Sequence, residues 1–145
     1  MDLSVRLATP EELDDCIEVR REVFIVGQNV PEDIEVDGLD EACVHVIARI
    51  DGRPMGTARL RITEKNQARV ERVAVRAEAR GQRIGHQIME VLEQHARRQG
   101  HEQVVLSAQV AVLGFYESRG YIAEGPVYLD ADIEHRTMRL TWPKP

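Results

Sequence analysis

The chain of 145 residues is poor in cysteine, in lysine and in long apolar runs. Cys16 and Cys43 are too few for a disulfide framework and lack the spacing of a zinc site, so both read as small hydrophobes rather than nucleophiles. No apolar stretch approaches the roughly 20 residues of a membrane helix. The opening Met1-Asp2-Leu3-Ser4-Val5-Arg6 lacks the basic-then-apolar layout of a signal peptide. These absences predict a cytoplasmic protein with no membrane partner. Nor is there a surplus of positive charge. The 19 basic residues stand against 25 acidic ones, and a net charge of -6 argues against nucleic acid as the partner. Since 17 of the 19 are Arg, a local basic site remains open. There is no repeat, low-complexity tract or linker. Composition (43% hydrophobic, 30% charged) is globular, and the length predicts one domain over residues 1–145. A domain of this size buries about 68–70% of its unfolded surface, enough to fold without disulfides or metal.

Thr9-Pro10-Glu11-Glu12 predicts a helix start, with Thr9 as cap, Pro10 at the first position and Glu12 closing a capping box. Leu13, Cys16, Ile17, Val23 and Phe24 extend the apolar stripe to about Val26. Ser4 to Ala8 alternates like a short strand, and Gln28 to Glu41 is an acidic loop. Strands are predicted over Cys43–Ile50 and Met55–Thr63, joined at Asp51-Gly52, and over Ala68–Arg76. Ile84, Ile88, Val91, Leu92, His95 and Ala96 recur at helical spacing, with Gly100 as the stop. A strand over Val104–Ala108, a short helix over Val112–Arg119 and strands over Tyr121–Leu129 and Arg136–Trp142 complete the order. Hairpins come first and helix-linked strands later, which predicts an α/β or α+β mixed sheet.

The stretch from Val70 to His86 carries the chemistry. A strand runs into a basic, glycine-containing turn, and the turn opens a long helix. The N–H groups of a helix start are unpaired and sit at the positive end of the macrodipole. Gly81 and Gly85 admit a close backbone approach, while Arg80 and Arg83 add charge. Such a turn suits a phosphate or pyrophosphate, although many turns of this kind hold no ligand. Neither G-x-x-x-x-G-K-[ST] nor G-x-G-x-x-G is present.

Val73-Ala74-Val75 followed by Arg80 through Gly85 resembles the acetyl-CoA signature Q/R-x-x-G-x-G/A of the GCN5-related N-acetyltransferases (GNATs). Arg83 stands where most of that family has its middle glycine. Leu106-Ser107-Ala108-Gln109 and Gly114-Phe115-Tyr116-Glu117-Ser118-Arg119-Gly120-Tyr121 resemble the family's second block. Val23 to Gln28, the acidic loop from Pro31 to Asp40, Ala108-Gln109 and Asp130 to His135 are similar to the ElaA-like branch, with Gly27 in place of the usual Glu. The resemblance implies a mostly antiparallel, twisted central sheet with two splayed central strands, flanked by helices.

It also implies roles. Acetyl-CoA would lie between the splayed strands, its pantetheine arm paired with the main chain of Val73, Ala74 and Val75. Backbone N–H groups from Gln82, Arg83, Ile84, Gly85 and His86, with Gly81 in the turn, would hold the pyrophosphate, and Arg80 or Arg83 would supply charge. Gln109 stands near the family's CoA-contacting Asn. Tyr116 matches the proton donor to the leaving thiolate; a core aromatic is the plainer alternative. Glu71 is the expected general base, because strand alternation puts it on one face with Val73 and Val75 and burial would raise its pKa. The alternative is an ion pair with Arg59 or Arg69. His45 reads as structural and His135 as ordering the acceptor side or a neighbouring strand. The cluster of Asp130, Asp132, Glu134 and His135 matches no metal-ligand spacing, and no metal is expected. Six acids between Glu32 and Glu41, beside a cleft, would attract a cationic acceptor; the alternative is a solvated charged loop. The function implied is N-acetyl transfer to the primary amine of a small molecule or peptide. The alternative is a non-catalytic acyl-CoA sensor or interaction module. Family resemblance also allows a homodimer.

Overall fold

Thr9 and Glu12 close the expected capping box, with the Glu12 carboxylate accepting the Thr9 N–H at 3.0 Å. The computed structural model describes residues 2–143; Met1, Lys144 and Pro145, which the expected domain includes, lie outside the described residues. Strand β1 (Leu3–Leu7) precedes a 3-10 turn (Pro10–Glu12), which runs on into α1 (Leu13–Arg20) and a π-helical turn (Arg21–Val26). Helical chain therefore reaches Val26, as the apolar stripe predicts. The acidic segment departs from a plain loop, since it winds one turn of helix, α2 (Glu32–Glu35), and a 3-10 turn (Asp40–Ala42). Strands β2 (Val44–Ile50) and β3 (Arg53–Ile62) form the predicted hairpin, with Asp51 and Gly52 both at positive φ. Strand β4 (Ala68–Val75), helix α3 (Ile84–Arg98), β5 (Gln103–Gln109), α4 (Leu113–Glu117), β6 (Ile122–Asp130) and β7 (Ile133–Thr141) complete the chain.

The seven strands form one sheet in the order β1-β2-β3-β4-β5-β7-β6. Every neighbouring pair is antiparallel except β4 and β5, which run parallel and pair only at Arg69–Val105 and Val70–Leu106. Past Val70 and Leu106 the two strands part. On one face α3 lays Ile84, Ile88, Leu92 and Ala96, spaced four apart and at most 1% exposed, against Val46, Leu60, Val70, Val104 and Leu106. Each such Ile or Leu is worth about 1.5–3 kcal/mol of burial. On the other face Val19 of α1 and Val23 pack on Ala74.

The sheet's register shifts between β2 and β3, between β3 and β4 and between β6 and β7, and the β4 shift is the one that bears on the gap. Thr57 pairs with Ala74 and Arg59 with Glu71, so three steps along β4 match two along β3. The extra residue is a bulge marked by Arg72 at φ +58°. It reverses the facing of the residues beyond it. Ala68 and Val70 face α3, and so do Val73 and Val75, whereas Ala74 faces α1. Glu71, paired with Arg59, lies on the α1 face. The expectation that Glu71, Val73 and Val75 share a face is corrected accordingly.

The acidic segment is tied to this face by arginines. Arg20 binds Glu35 and Asp40, each at 2.6 Å. Arg59 binds Asp37 at 2.6 Å, Asp40 at 2.9 Å and Glu71 at 3.0 Å. Arg61 binds Glu71 and Arg72 binds Glu35, both at 2.9 Å. Arg20 and Arg59 are each 1% exposed, so an unpaired charge here would be costly. Hydrogen bonds from Arg59 hold the Asp37 carboxyl well below the usual range. At Asp40 and Glu71 burial disfavours ionisation, but the arginines outweigh it and both carboxyls are depressed. At Glu35 burial prevails and pushes the carboxyl up.

Depressed carboxyls contribute stability that is present above their unfolded pKa of about 4 and lost as pH falls; Glu35 acts in the opposite sense. With three groups against one, the urea midpoint is expected to drop between about pH 5 and pH 3. A midpoint constant across that range would contradict the network's contribution.

Candidate active site

The gap between β4 and β5 opens into a cavity of about 510 Å³. Its α3-side wall carries Val73, Val75, Leu106, Ala108, Phe115 and Tyr116. Its other wall carries Glu71 and Arg72 of β4, Ser107 and Gln109 of β5, His135 of β7, and Phe24, Gln28 and Glu35 from the α1 side. The expected residues therefore divide between two walls rather than lining one.

Main-chain groups of successive strand residues point to opposite sides. The Arg76 N–H donates to Met55 on β3 at 2.8 Å, so the main chain of Val75 faces the gap. There its carbonyl accepts the Arg80 Nε–H at 3.0 Å. Arg80 lines the cavity and ties the turn back to the strand. Gly81 has φ +83° and Arg83 φ +62°, so Arg83 takes the left-handed conformation natural to the glycine it replaces. Ile84 is 1% exposed in the core. Gly85 lines the cavity, and a Cβ there would stand 3.2 Å from Phe115 Cζ. Absence of that Cβ lets α4 lie against the start of α3. No intrachain acceptor takes the N–H of Arg83, Ile84, Gly85 or His86 among the described residues. Gly81, Gln82, Arg83, Ile84 and His86 do not line the cavity. The His86 ring instead packs on Phe115, with centroids 4.6 Å apart, and its Nδ1 accepts from Arg119 at 3.2 Å.

Tyr116 lines the cavity at 7% exposure, and its hydroxyl has no hydrogen-bond partner among the described residues. Burial pushes the phenol well above its ordinary range, so it is protonated at neutral pH. Tyr121, which edges Tyr116 with centroids 5.6 Å apart, donates instead to Glu93 at 2.8 Å. Glu71 lines the opposite wall, but both its oxygens are engaged by Arg61, and Oε1 also by Arg59. The expected rise in its pKa is not found; the shift is downward because two guanidiniums outweigh burial. Of its expected partners Arg59 is found, whereas Arg69 donates to Gln67. Gln109 donates to Gln28 at 2.9 Å, bridging β5 to the segment after α1.

The acids of the segment from Glu32 to Glu41 are largely engaged, against the expectation of a free cationic attractor. Glu35, Asp37 and Asp40 belong to the arginine network, and Glu32 pairs with Arg21. His45 is structural, with Nε2 donating to the Asp40 carbonyl at 2.8 Å. Asp130 and His135 face the cavity, while Ala131 and Asp132 make the left-handed turn of the β6–β7 hairpin. Among the described residues no three His, Cys, Asp or Glu side chains are grouped to hold a metal. Sequence reasoning missed Ser107, whose hydroxyl meets that of Tyr128, and Arg119, which ties α4 to Glu93 of α3. No local signal marks either, because both contacts join separate elements.

A family model described as an acetyltransferase (GNAT) domain matches residues 9–142. The chain belongs to the GNAT acetyltransferase family. The uncharacterized N-acetyltransferase YjcF of Bacillus subtilis is 34% identical over 129 residues, 88% of this chain and 91% of YjcF. The crystal structure of an acyl-CoA N-acyltransferase from Pseudomonas aeruginosa shares 37% identity, with a TM-score of 0.82 over 95% of this chain and 97% of that one. Escherichia coli ElaA shares 26% identity, with a TM-score of 0.81 and the same coverage. The fold and enzyme class expected from the motifs are those found.

Glu71→Gln is expected to cost about 2–3 kcal/mol of stability, since it deprives Arg59 and Arg61 of a charge at a side chain 18% exposed. Urea denaturation measures it, and a loss below about 0.5 kcal/mol would show that the pair contributes little. Arg83→Gly is expected to raise stability by about 1 kcal/mol by relieving the left-handed backbone. An unchanged or lower melting temperature would show that the arginine side chain offsets the strain.

Proposed function

We propose that this acetyltransferase moves the acetyl group of acetyl-CoA to the primary amine of a small molecule or peptide by direct attack. The observation that carries the reading is the pairing of a splayed β4–β5 gap with free N–H groups at the start of α3, where Gly85 lines the cavity. Val73 and Val75 offer main chain to an extended pantetheine arm, much as a strand is added to a sheet edge. The N–H groups of Arg83 to His86, with Gly81 and Gln82 in the turn before them, suit the pyrophosphate, and Arg80 and Arg83 supply positive charge. Ala74 holds this part of β4 against Val19 and Val23. The Pseudomonas relative's description as an acyl-CoA N-acyltransferase supports the same donor.

Tyr116 is the proposed proton donor to the thiolate. Its protonated, unpartnered hydroxyl in the cavity favours catalysis over an acyl-CoA sensor, which needs no donor. Glu71 belongs to the acceptor wall, where its carboxylate holds Arg59 and Arg61 in place. Gln109 and Gln28 close that wall. Among the described residues no helix is long and apolar enough to cross a membrane. Two free cysteines and the acetyl-CoA donor support work in the cytoplasm. Exposed Ile122, Val127 and Leu129 on edge strand β6 support a homodimer.

Calorimetric titration with acetyl-CoA is expected to give one-site binding, and absence of binding at millimolar ligand would overturn the reading. Tyr116→Phe is expected to leave that affinity unchanged while lowering amine-dependent thiol release about 10²-fold. Full turnover in the variant would remove Tyr116 from the mechanism.

A further inference from the structure

Direct attack needs a group on the acceptor wall to take the amine's proton, and the carboxylate expected there is saturated by arginine. The four carboxylates of the network, Glu35, Asp37, Asp40 and Glu71, are matched by Arg20, Arg59, Arg61 and Arg72. None of them keeps a free basic site facing the gap on equal terms with a neutral base.

His135 differs in kind. It lies in β7, 8% exposed, between Gln109 of β5 and Tyr128 of β6 in the sheet register, and it lines the cavity. Met138 and Leu140 of β7 face the α3 core, so the alternate residue His135 faces the acceptor wall with Gln109 and Ser107. Its Nδ1 stands 2.7 Å from the Ile133 carbonyl oxygen. A carbonyl only accepts, so Nδ1 carries the proton and, in the neutral ring, Nε2 holds a free lone pair. The ring is further fixed by stacking on Tyr128, with centroids 6.1 Å apart and planes 23° apart. Tautomer and orientation are thus set by the fold before any acceptor arrives.

We propose that Nε2 of His135 takes the proton that the acceptor amine loses as it attacks the thioester. The inference rests on the acetyltransferase reading. In the step, the amine nitrogen forms the C–N bond to the acetyl carbon and the C–S bond breaks. The amine proton passes to Nε2, and the departing sulfur takes the proton of Tyr116 from the other wall. The imidazolium then releases its proton to water and Tyr116 regains one, leaving amide and free CoA. Charged and titratable groups facing the cavity are Tyr128 and Asp130 on β6, Arg69, Glu71 and Arg72 on β4, Glu35 on α2, Arg80 in the turn before α3 and Tyr116 on α4. Strand β5 contributes only the uncharged Ser107 and Gln109.

The test measures thiol release from acetyl-CoA with glycinamide as the amine, across pH 5 to 9, in wild type and His135→Gln. Wild type is expected to show kcat/KM rising with pH along a limb set by one ionising group. His135→Gln is expected to lose that limb and fall about 10²-fold near neutrality, with acetyl-CoA affinity within about twofold of wild type by calorimetry. Added imidazole should restore part of the rate in His135→Ala. A retained limb with undiminished turnover would overturn the proposal while leaving the acetyltransferase reading intact. Wild type that neither binds acetyl-CoA nor releases thiol would overturn both. Nitrogen NMR of wild type decides the matter without a variant or a turned-over amine, since a ring protonated at Nε2 rather than Nδ1 at neutral pH would exclude His135 as the acceptor.

Discussion

One extra residue in β4 governs the rest of the architecture. The bulge at Arg72 reverses which side chains face α3 and which face α1, immediately beyond the last pairing with β5. Because of it, one strand supplies Glu71 to the acceptor wall and Val73 and Val75 to the opposite wall. Regular alternation would have kept all three on one side. A left-handed arginine costs about 1–2 kcal/mol, and here its guanidinium is held by Glu35 at 2.9 Å and by the Ile34 carbonyl at 3.1 Å. The same contacts pin the acidic segment over the gap. Backbone strain, loop position and cavity wall are therefore one linked feature.

That linkage places most of the loop's acids in ion pairs rather than in open solvent. Carboxylates spent on buried arginines cast little field into the cavity, and the wall they form is close to neutral. Removing one partner leaves a buried charge without its complement, so the network holds the acceptor wall rigid more than it draws a ligand. Beside that wall the cavity presents Phe24, Gln28, Ser107, Gln109 and His135, the side chains that an acceptor would meet on the proposed reading.

Much of this was legible in the chain. Glu12 with Thr9, Asp51-Gly52, the fourfold spacing from Ile84 to Ala96 and the stop at Gly100 each act within a few residues, and each formed as read. The walls of the gap were less legible because they depend on contacts distant in sequence. Arg72 carries no sign of positive φ, since arginine rarely adopts it, and alternation was therefore extended through the bulge. Glu71 looks like a base when only its strand is considered. Arg59 and Arg61 on the neighbouring strand make it an ion-pair partner. His135 is illegible for the reverse reason, because nothing in Asp130 to Glu134 shows that the Ile133 carbonyl fixes its tautomer.

Arg83 invites comparison with Arg72. Both are arginines in left-handed backbone, and both flank the gap, one on the acceptor wall and one in the turn before α3. Arg72 has Glu35 and the Ile34 carbonyl to offset its strain, whereas Arg83 has no carboxylate within ion-pair distance among the described residues. Strain without an internal partner tends to collect at functional positions. On the proposed acetyl-CoA reading, a guanidinium without an internal carboxylate would add charge to the unpaired N–H groups that open α3. On that reading the departure from the family's glycine trades about 1 kcal/mol of backbone strain for a positive charge near the proposed phosphate site.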